Sequence, residues 1–228
     1  MRPFAIVCVM MTVAIGSSCA RAGQTVELFN GKDLTGWKGE NFTKRHLWTV
    51  GTASVAGPKK LAVTPGGSEL ILPEFGSDLV SDQTFSDIIL ELDVMIPPAS
   101  NSGIYLMGEY ELQIIDDAAA PADTPPDMKH GSISRVSRPK AAASPTPGSW
   151  QTIRVEFRAP RFDAQGKKTA PATFQKVTID GKVVQENATV PESTLGARTF
   201  EEKPAGPLML QGAEGGVAYR NIRITPLD

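Results

Sequence analysis

In two stretches of this chain the apolar side chains recur at every second position, and that period constrains the fold more than any other feature. Residues 88–96 read IILELDVMI and place Ile88, Leu90, Leu92, Val94 and Ile96 on one face, with Glu91 and Asp93 on the other. Residues 150–158 read WQTIRVEFR and place Ile153, Val155 and Phe157 inward, with Thr152, Arg154 and Glu156 outward. Side chains alternate across a strand, so this spacing is that of half-buried β-strands. Residues 101–117, NSGIYLMGEYELQIIDD, read as two adjoining strands broken at Gly108. Ile104, Leu106, Leu112 and Ile114 point one way, while Tyr105 and Met107, then Glu111 and Gln113, point the other.

The rest of the chain follows the same logic. Val177 and Ile179 lead into Asp180 and Gly181, a hairpin turn signal. Residues 207–211 and 217–225 read as two more strands, with glycine-rich residues 212–216 as the hairpin turn between them. Residues 118–126 and 138–148 are Ala- and Pro-rich loops, and residues 189–203 form a loop or a short helical turn. No amphipathic helix and no internal repeat stands out. The expected fold is all-β, a sandwich of two antiparallel sheets. Leu90, Leu92, Val94, Ile104, Leu106, Leu112, Ile153, Val155 and Phe157 form its expected core.

The first residues set the expected compartment. Arg2 precedes an apolar run, residues 4–15, too short for the roughly 20 apolar residues that cross a bilayer. Small residues follow, and Ala20-Arg21-Ala22 is a cleavage signal, so residues 1–22 read as a signal peptide and residues 23–228 as the mature domain. Gly16 stands where a lipoprotein signal ahead of Cys19 would carry a Leu-like residue, which favours ordinary cleavage over lipidation. The expected location is periplasmic or secreted. Both cysteines, Cys8 and Cys19, lie in the removed segment, so the mature chain has neither disulfide nor thiolate. Removing Arg2 and Arg21 from the 23 basic residues leaves 21 against 25 acidic ones, a formal charge of −4. That balance argues against nucleic acid or an anionic membrane surface as partner. No later segment is apolar enough to span a membrane.

If the strands pair as neighbours, one sheet face collects Glu91, Asp93, Tyr105, Glu111, Gln113, Trp150, Arg154 and Gln211. Carboxylates, amides and a guanidinium hydrogen-bond sugar hydroxyls, and Tyr and Trp supply rings for apolar sugar faces. Each has a plainer alternative: Arg154 pairing with Glu156 or Glu91, Trp150 packing, Asp116 and Asp117 capping a loop rather than binding a cation. His46 and His130 lack any metal-ligand spacing, so no metal ligands are assigned. Nucleophile-elbow, phosphate-loop and dinucleotide motifs do not occur.

Five segments then resemble one family. LFNGKDLTGW at residues 28–37, NSGIY at 101–105, YELQIID at 110–116, PGSW at 147–150 and RNIRI at 220–224 occur in the order found in the 3-keto-disaccharide hydrolase domain family. The resemblance implies a concanavalin A-like jelly roll, a sugar site on its concave sheet, and action on glycosides whose C3 hydroxyl is oxidised to a ketone. Two positions depart from the family pattern: Met107 stands where an Arg is frequent, and Ala213 where a His is.

A C3 ketone acidifies the C2 proton, so a base at C2 and a donor at the ketone oxygen permit elimination of the C1 substituent, followed by water addition. Glu111 is the expected base, and Lys140, Arg154 or a bound cation the expected enolate stabiliser. Glu91, Tyr105, Gln113, Trp150, Arg154 and Gln211 are the expected substrate contacts. No organic cofactor is expected, and a divalent cation stays open. Ordinary hydrolysis by a Glu91–Glu111 pair and a non-catalytic, lectin-like domain are the alternatives, with a structural envelope module behind them.

Overall fold

The computed structural model describes residues 23–40, 45–212 and 214–227. Residues 1–22, the expected signal peptide, and Ala213 lie outside them. In chain order the strands are β1 (Val26–Glu27), β2 (Trp37–Glu40), β3 (Thr49–Gly57), β4 (Lys60–Leu72), β5 (Asp78–Phe85), β6 (Ile88–Met95), β7 (Asn101–Leu106) and β8 (Tyr110–Ile115). After a 3₁₀ turn at Pro126–Met128 come β9 (Gln151–Arg158), β10 (Arg161–Phe162), β11 (Lys168–Ala170), β12 (Ala172–Ile179), β13 (Lys182–Val190), β14 (Gly206–Leu210) and β15 (Val217–Pro226). Among the described residues no helix is long and apolar enough to cross a membrane.

Two antiparallel sheets carry the architecture. The larger runs β13-β12-β9-β6-β15-β4-β3, with β1 on β15; the smaller runs β2-β5-β14-β7-β8. The expected core holds: all nine residues named for it are at most 2% exposed and belong to one apolar cluster. Removing each such side chain from water stabilises the fold by about 1.5–3 kcal/mol, which locks the alternation of β6, β7, β8 and β9 inward. Tyr110, Phe157 and Phe174 pack in series within that cluster, with ring centroids 5.6 and 5.2 Å apart.

Three local expectations are met or corrected by turn geometry. Asp180 and Gly181, at φ 50° and 77°, make the tight turn between β12 and β13. The β7–β8 turn uses Met107 and Gly108 at φ 57° and 72°. That left-handed step turns Met107 into the main core cluster, so it does not share a face with Tyr105. Residues 211–216 are not a hairpin turn, because β14 pairs with β5 and β7 in the smaller sheet while β15 pairs with β4 and β6 in the larger. The segment crosses from one sheet to the other.

The long loop between β8 and β9 is pinned from inside. Asp117 accepts hydrogen bonds from His130 N at 3.0 Å and Ser144 Oγ at 2.7 Å, and His130 Nδ1 accepts from Ile115 N at 3.2 Å. Asp116 accepts from Ala99 N at 2.8 Å and Ala118 N at 3.2 Å, so both aspartates act as loop caps. His130 is 1% exposed, and burial lowers its pKa from 6.5 to about 4, although Asp117, Gln151 and Asp180 favour the proton. A histidine kept neutral in the native state destabilises it once protonation becomes possible, so this stability is present above pH 6.5 and is lost as pH falls towards 4. We predict that the urea-unfolding free energy drops by on the order of 3 kcal/mol across that window from this group. His130→Gln should be less stable at pH 7 but flatter with pH; an identical pH slope in both proteins would contradict the assignment.

Candidate active site

The outer face of the smaller sheet carries the candidate site. Tyr105 on β7 pairs in register with Glu111 on β8, and Gly103 pairs with Gln113, so one surface holds Asn101, Gly103, Tyr105, Glu111 and Gln113. Val80, Tyr105 and Met209 form an apolar cluster on that side, separate from the main core. Gln211 follows β14, and its Nε2 donates to the Tyr105 hydroxyl at 3.2 Å. The Tyr105 hydroxyl in turn donates to the Leu195 carbonyl at 2.8 Å. Gln113 Nε2 donates to Asn101 Oδ1.

A strap, residues 191–205, lies over this surface between β13 and β14. Thr194 Oγ1 accepts from Glu111 N at 2.9 Å and donates to the Glu109 carbonyl at 3.1 Å. Arg198 holds Glu40 of β2 through two hydrogen bonds, 2.6 and 2.7 Å, and Thr199 Oγ1 donates to Glu109 at 2.5 Å. Gly196 sits so close to Tyr105 that a Cβ there would come within 2.5 Å of the hydroxyl.

Enclosure changes the chemistry of the carboxyl beneath. Glu111 is 4% exposed, and burial raises its pKa to about 7, against the opposing pull of the Ser134 and Tyr105 hydroxyls. Among the described residues no cationic side chain contributes to that balance. Burial also raises the pKa of Tyr105, which is therefore a neutral hydrogen-bond donor at every ordinary pH. A carboxylate with a pKa near neutrality is matched to proton abstraction at physiological pH.

The expected site residues therefore divide. Glu111, Tyr105, Gln113 and Gln211 come together. Glu91 and Arg154 do not: they pair in register on β6 and β9, on the outer face of the larger sheet, with the core between them and Glu111. Arg154 forms its ion pair with Glu156 there. Trp150 lies on the same far side, packed on the Leu61, Ile71, Met95 and Ala218 cluster, with the Arg220 guanidinium 4.2 Å from its ring centre. A Glu91–Glu111 hydrolytic pair is thereby ruled out by sheet membership. Lys140 is exposed, donates its backbone N–H to Val184 of β13, and places its ammonium 2.8 Å from Glu186, away from the Glu111 carboxyl.

Asn101, Ser134 and the strap were not among the expected contacts. No local pattern marks them, because each reaches Glu111 or its neighbours through tertiary contact. Among the described residues no group of three or more His, Cys, Asp or Glu side chains converges where a metal ion could sit. Two clefts of the described surface lie elsewhere, one of about 610 Å³ beside Arg45, Lys59 and Phe75 and one of about 560 Å³ at residues 137–140.

Known proteins share this frame. A protein of Parabacteroides distasonis, provisionally designated a glycosyl hydrolase, superposes with a TM-score of 0.69 at 28% identity, covering 89% of this chain and 84% of that one. A second of the same designation and organism gives 0.59 at 18% identity, over 90% and 94% of the two chains, and supports the jelly-roll fold alone. No curated protein matches in sequence. The family model for the 3-keto-alpha-glucoside-1,2-lyase-like domain matches residues 24–225. That match covers both sheets and every residue of the Glu111 surface, and the chain is a member of the 3-keto-alpha-glucoside-1,2-lyase-like domain family.

Proposed function

We propose that this protein cleaves glycosides bearing a C3 ketone, with Glu111 as the base that removes the C2 proton. The observation that carries the reading is the Glu111 carboxyl itself, enclosed between Tyr105, Gly103 and the strap with its pKa raised to about 7. The C3 ketone makes the C2 proton acidic enough for such a base. As the C1–O bond breaks, the electron pair of the enolate forms the C1=C2 bond, and the departing oxygen takes a proton from solvent. Water adding across that bond completes a net hydrolysis. The route needs no organic cofactor from the chain.

Enolate stabilisation falls to neutral donors in this proposal. Arg154 is behind the core and Lys140 is committed to Glu186, whereas Gln113, two residues from Glu111 on β8, and Gln211, hydrogen-bonded to Tyr105, each bring an amide N–H₂ group to this surface. Fixed dipoles in an enclosed site stabilise developing charge without reorganising. A non-catalytic sugar-binding role is the second reading, favoured by one observation: Met107 is turned into the core where the family frequently carries Arg, so that among the described residues no cation acts on Glu111. Export follows from residues 1–22, and the mature periplasmic or secreted protein begins at Gly23.

Three outcomes test this. Glu111→Gln should lower turnover of a 3-keto-glucoside with a chromogenic leaving group by about 100-fold or more while sugar binding is retained; unchanged turnover would clear Glu111 of the base role, and binding without turnover in the wild type would favour the lectin-like reading. Because the base must be ionised, kcat/KM should rise with pH through about 7 and level above it; a profile flat between pH 5 and 8 would contradict the assignment. Intact-mass measurement of protein from an exporting bacterial host should give a chain starting at Gly23, and a diacylglyceryl adduct on Cys19 would overturn that reading.

A further inference from the structure

Gly103 lies in the middle of the polar surface, and its bareness has no backbone cause. Left-handed φ explains many glycines of this chain, but Gly103 is not among its positive-φ residues. Its neighbours on β7, Asn101 and Tyr105, carry side chains on the same face, and Gln113 stands opposite it in register. Gln211 N donates to the Gly103 carbonyl at 2.9 Å, so the strand is held flush on its other side as well.

The reason is what a side chain there would meet. A Cβ at position 103 would collide with Oε1 of Glu111 and come within 3.0 Å of the Tyr105 ring. The ring has nowhere to go, being fully buried, hydrogen-bonded to Leu195 and Gln211, and roofed by Gly196. The carboxylate is the far end of a flexible side chain and would be the group to yield.

We propose that Gly103 is the positioning residue for Glu111: the space its missing side chain leaves on β7 is taken by the Glu111 carboxyl, which is thereby seated against the sheet beside Tyr105. Its effect on catalysis rests on Glu111 as the base; the positioning itself does not. A methyl group at 103 keeps the strand but pushes the carboxylate off the sheet. Displaced towards water, Glu111 loses the burial that raises its pKa. Loss of an ångström of alignment at a base is enough to cost a reaction two orders of magnitude.

Gly103→Ala tests this with readouts that a merely structural role would not move. The Glu111 carboxyl is followed by ¹³C NMR in protein labelled at glutamate, its signal identified by its absence from Glu111→Gln. The expected titration midpoint falls by at least about one unit towards the ordinary carboxylate range, the thermal midpoint changes by no more than about 4 °C, and kcat falls about 100-fold as the acid limb of the pH–rate profile shifts downward. An unchanged Glu111 titration and an unchanged kcat would overturn the proposal. Should the single variant fail to fold, Gly103→Ala is placed in the Glu111→Ala background. There the colliding oxygen is gone, and the double variant is expected to melt within about 4 °C of Glu111→Ala; failure to fold there too would show that Glu111 is not what keeps position 103 bare. A wild type that turns over no 3-keto-glucoside would sink the enzymatic reading, while the titration would still decide the positioning role.

Discussion

The register of the β7–β8 hairpin is the constraint on which the site depends. With Met107 and Gly108 forming the turn, Tyr105 faces Glu111 and Gly103 faces Gln113. Ile104, Leu106, Leu112 and Ile114 then enter the core between the sheets. A slip of one residue would send Glu111 and Gln113 into that core and Leu112 to the outer face. The cost of burying a carboxylate and an amide among aliphatic side chains forbids it. The hydrophobic requirement of the sandwich therefore fixes the polar arrangement on its outside, and the two cannot be varied separately.

Enclosure of that outer face is the second layer of control. The strap is tied down at several points, to the backbone of Glu109 and Glu111 through Thr194, to Tyr105 through the Leu195 carbonyl, and to β2 through the Arg198–Glu40 pair. The partly exposed Arg198–Glu40 pair contributes little stability in isolation, but together these contacts hold a roof over Glu111. The carboxyl thereby loses hydration, while the Ser134 and Tyr105 hydroxyls recover only part of that loss. A single environmental fact, poor access to water, makes Glu111 a better base at neutral pH and Tyr105 a permanently protonated donor.

What the sequence made legible were the elements whose pattern is local. β6, β9 and the β7–β8 hairpin announce themselves through period-two alternation, and the core residues follow from parity alone. What it did not reveal was which strands share a sheet, because pairing across long stretches of chain leaves no local mark. That is why Glu91, Arg154 and Trp150 were grouped with Glu111 although they sit on the opposite outer face. Residues 212–216 have a hairpin composition, yet the strands on either side of them, β14 and β15, belong to different sheets. Met107 broke parity because a left-handed turn residue does not obey strand alternation. Lys140 finds its partner in Glu186, 46 residues away along the chain, where no local pattern could show it.

The central claim is that cleavage begins with proton loss at C2, taken by Glu111. It is tested most directly by running the reaction in D₂O and examining the released 3-keto-sugar by NMR at times too short for spontaneous exchange. Elimination followed by water addition places a solvent deuteron at C2, so the account predicts deuterium there for the wild type and none formed above background by Glu111→Gln. Released sugar that retains its original C2 proton would mean that the glycosidic bond breaks by direct displacement, and the role given to Glu111 would be wrong.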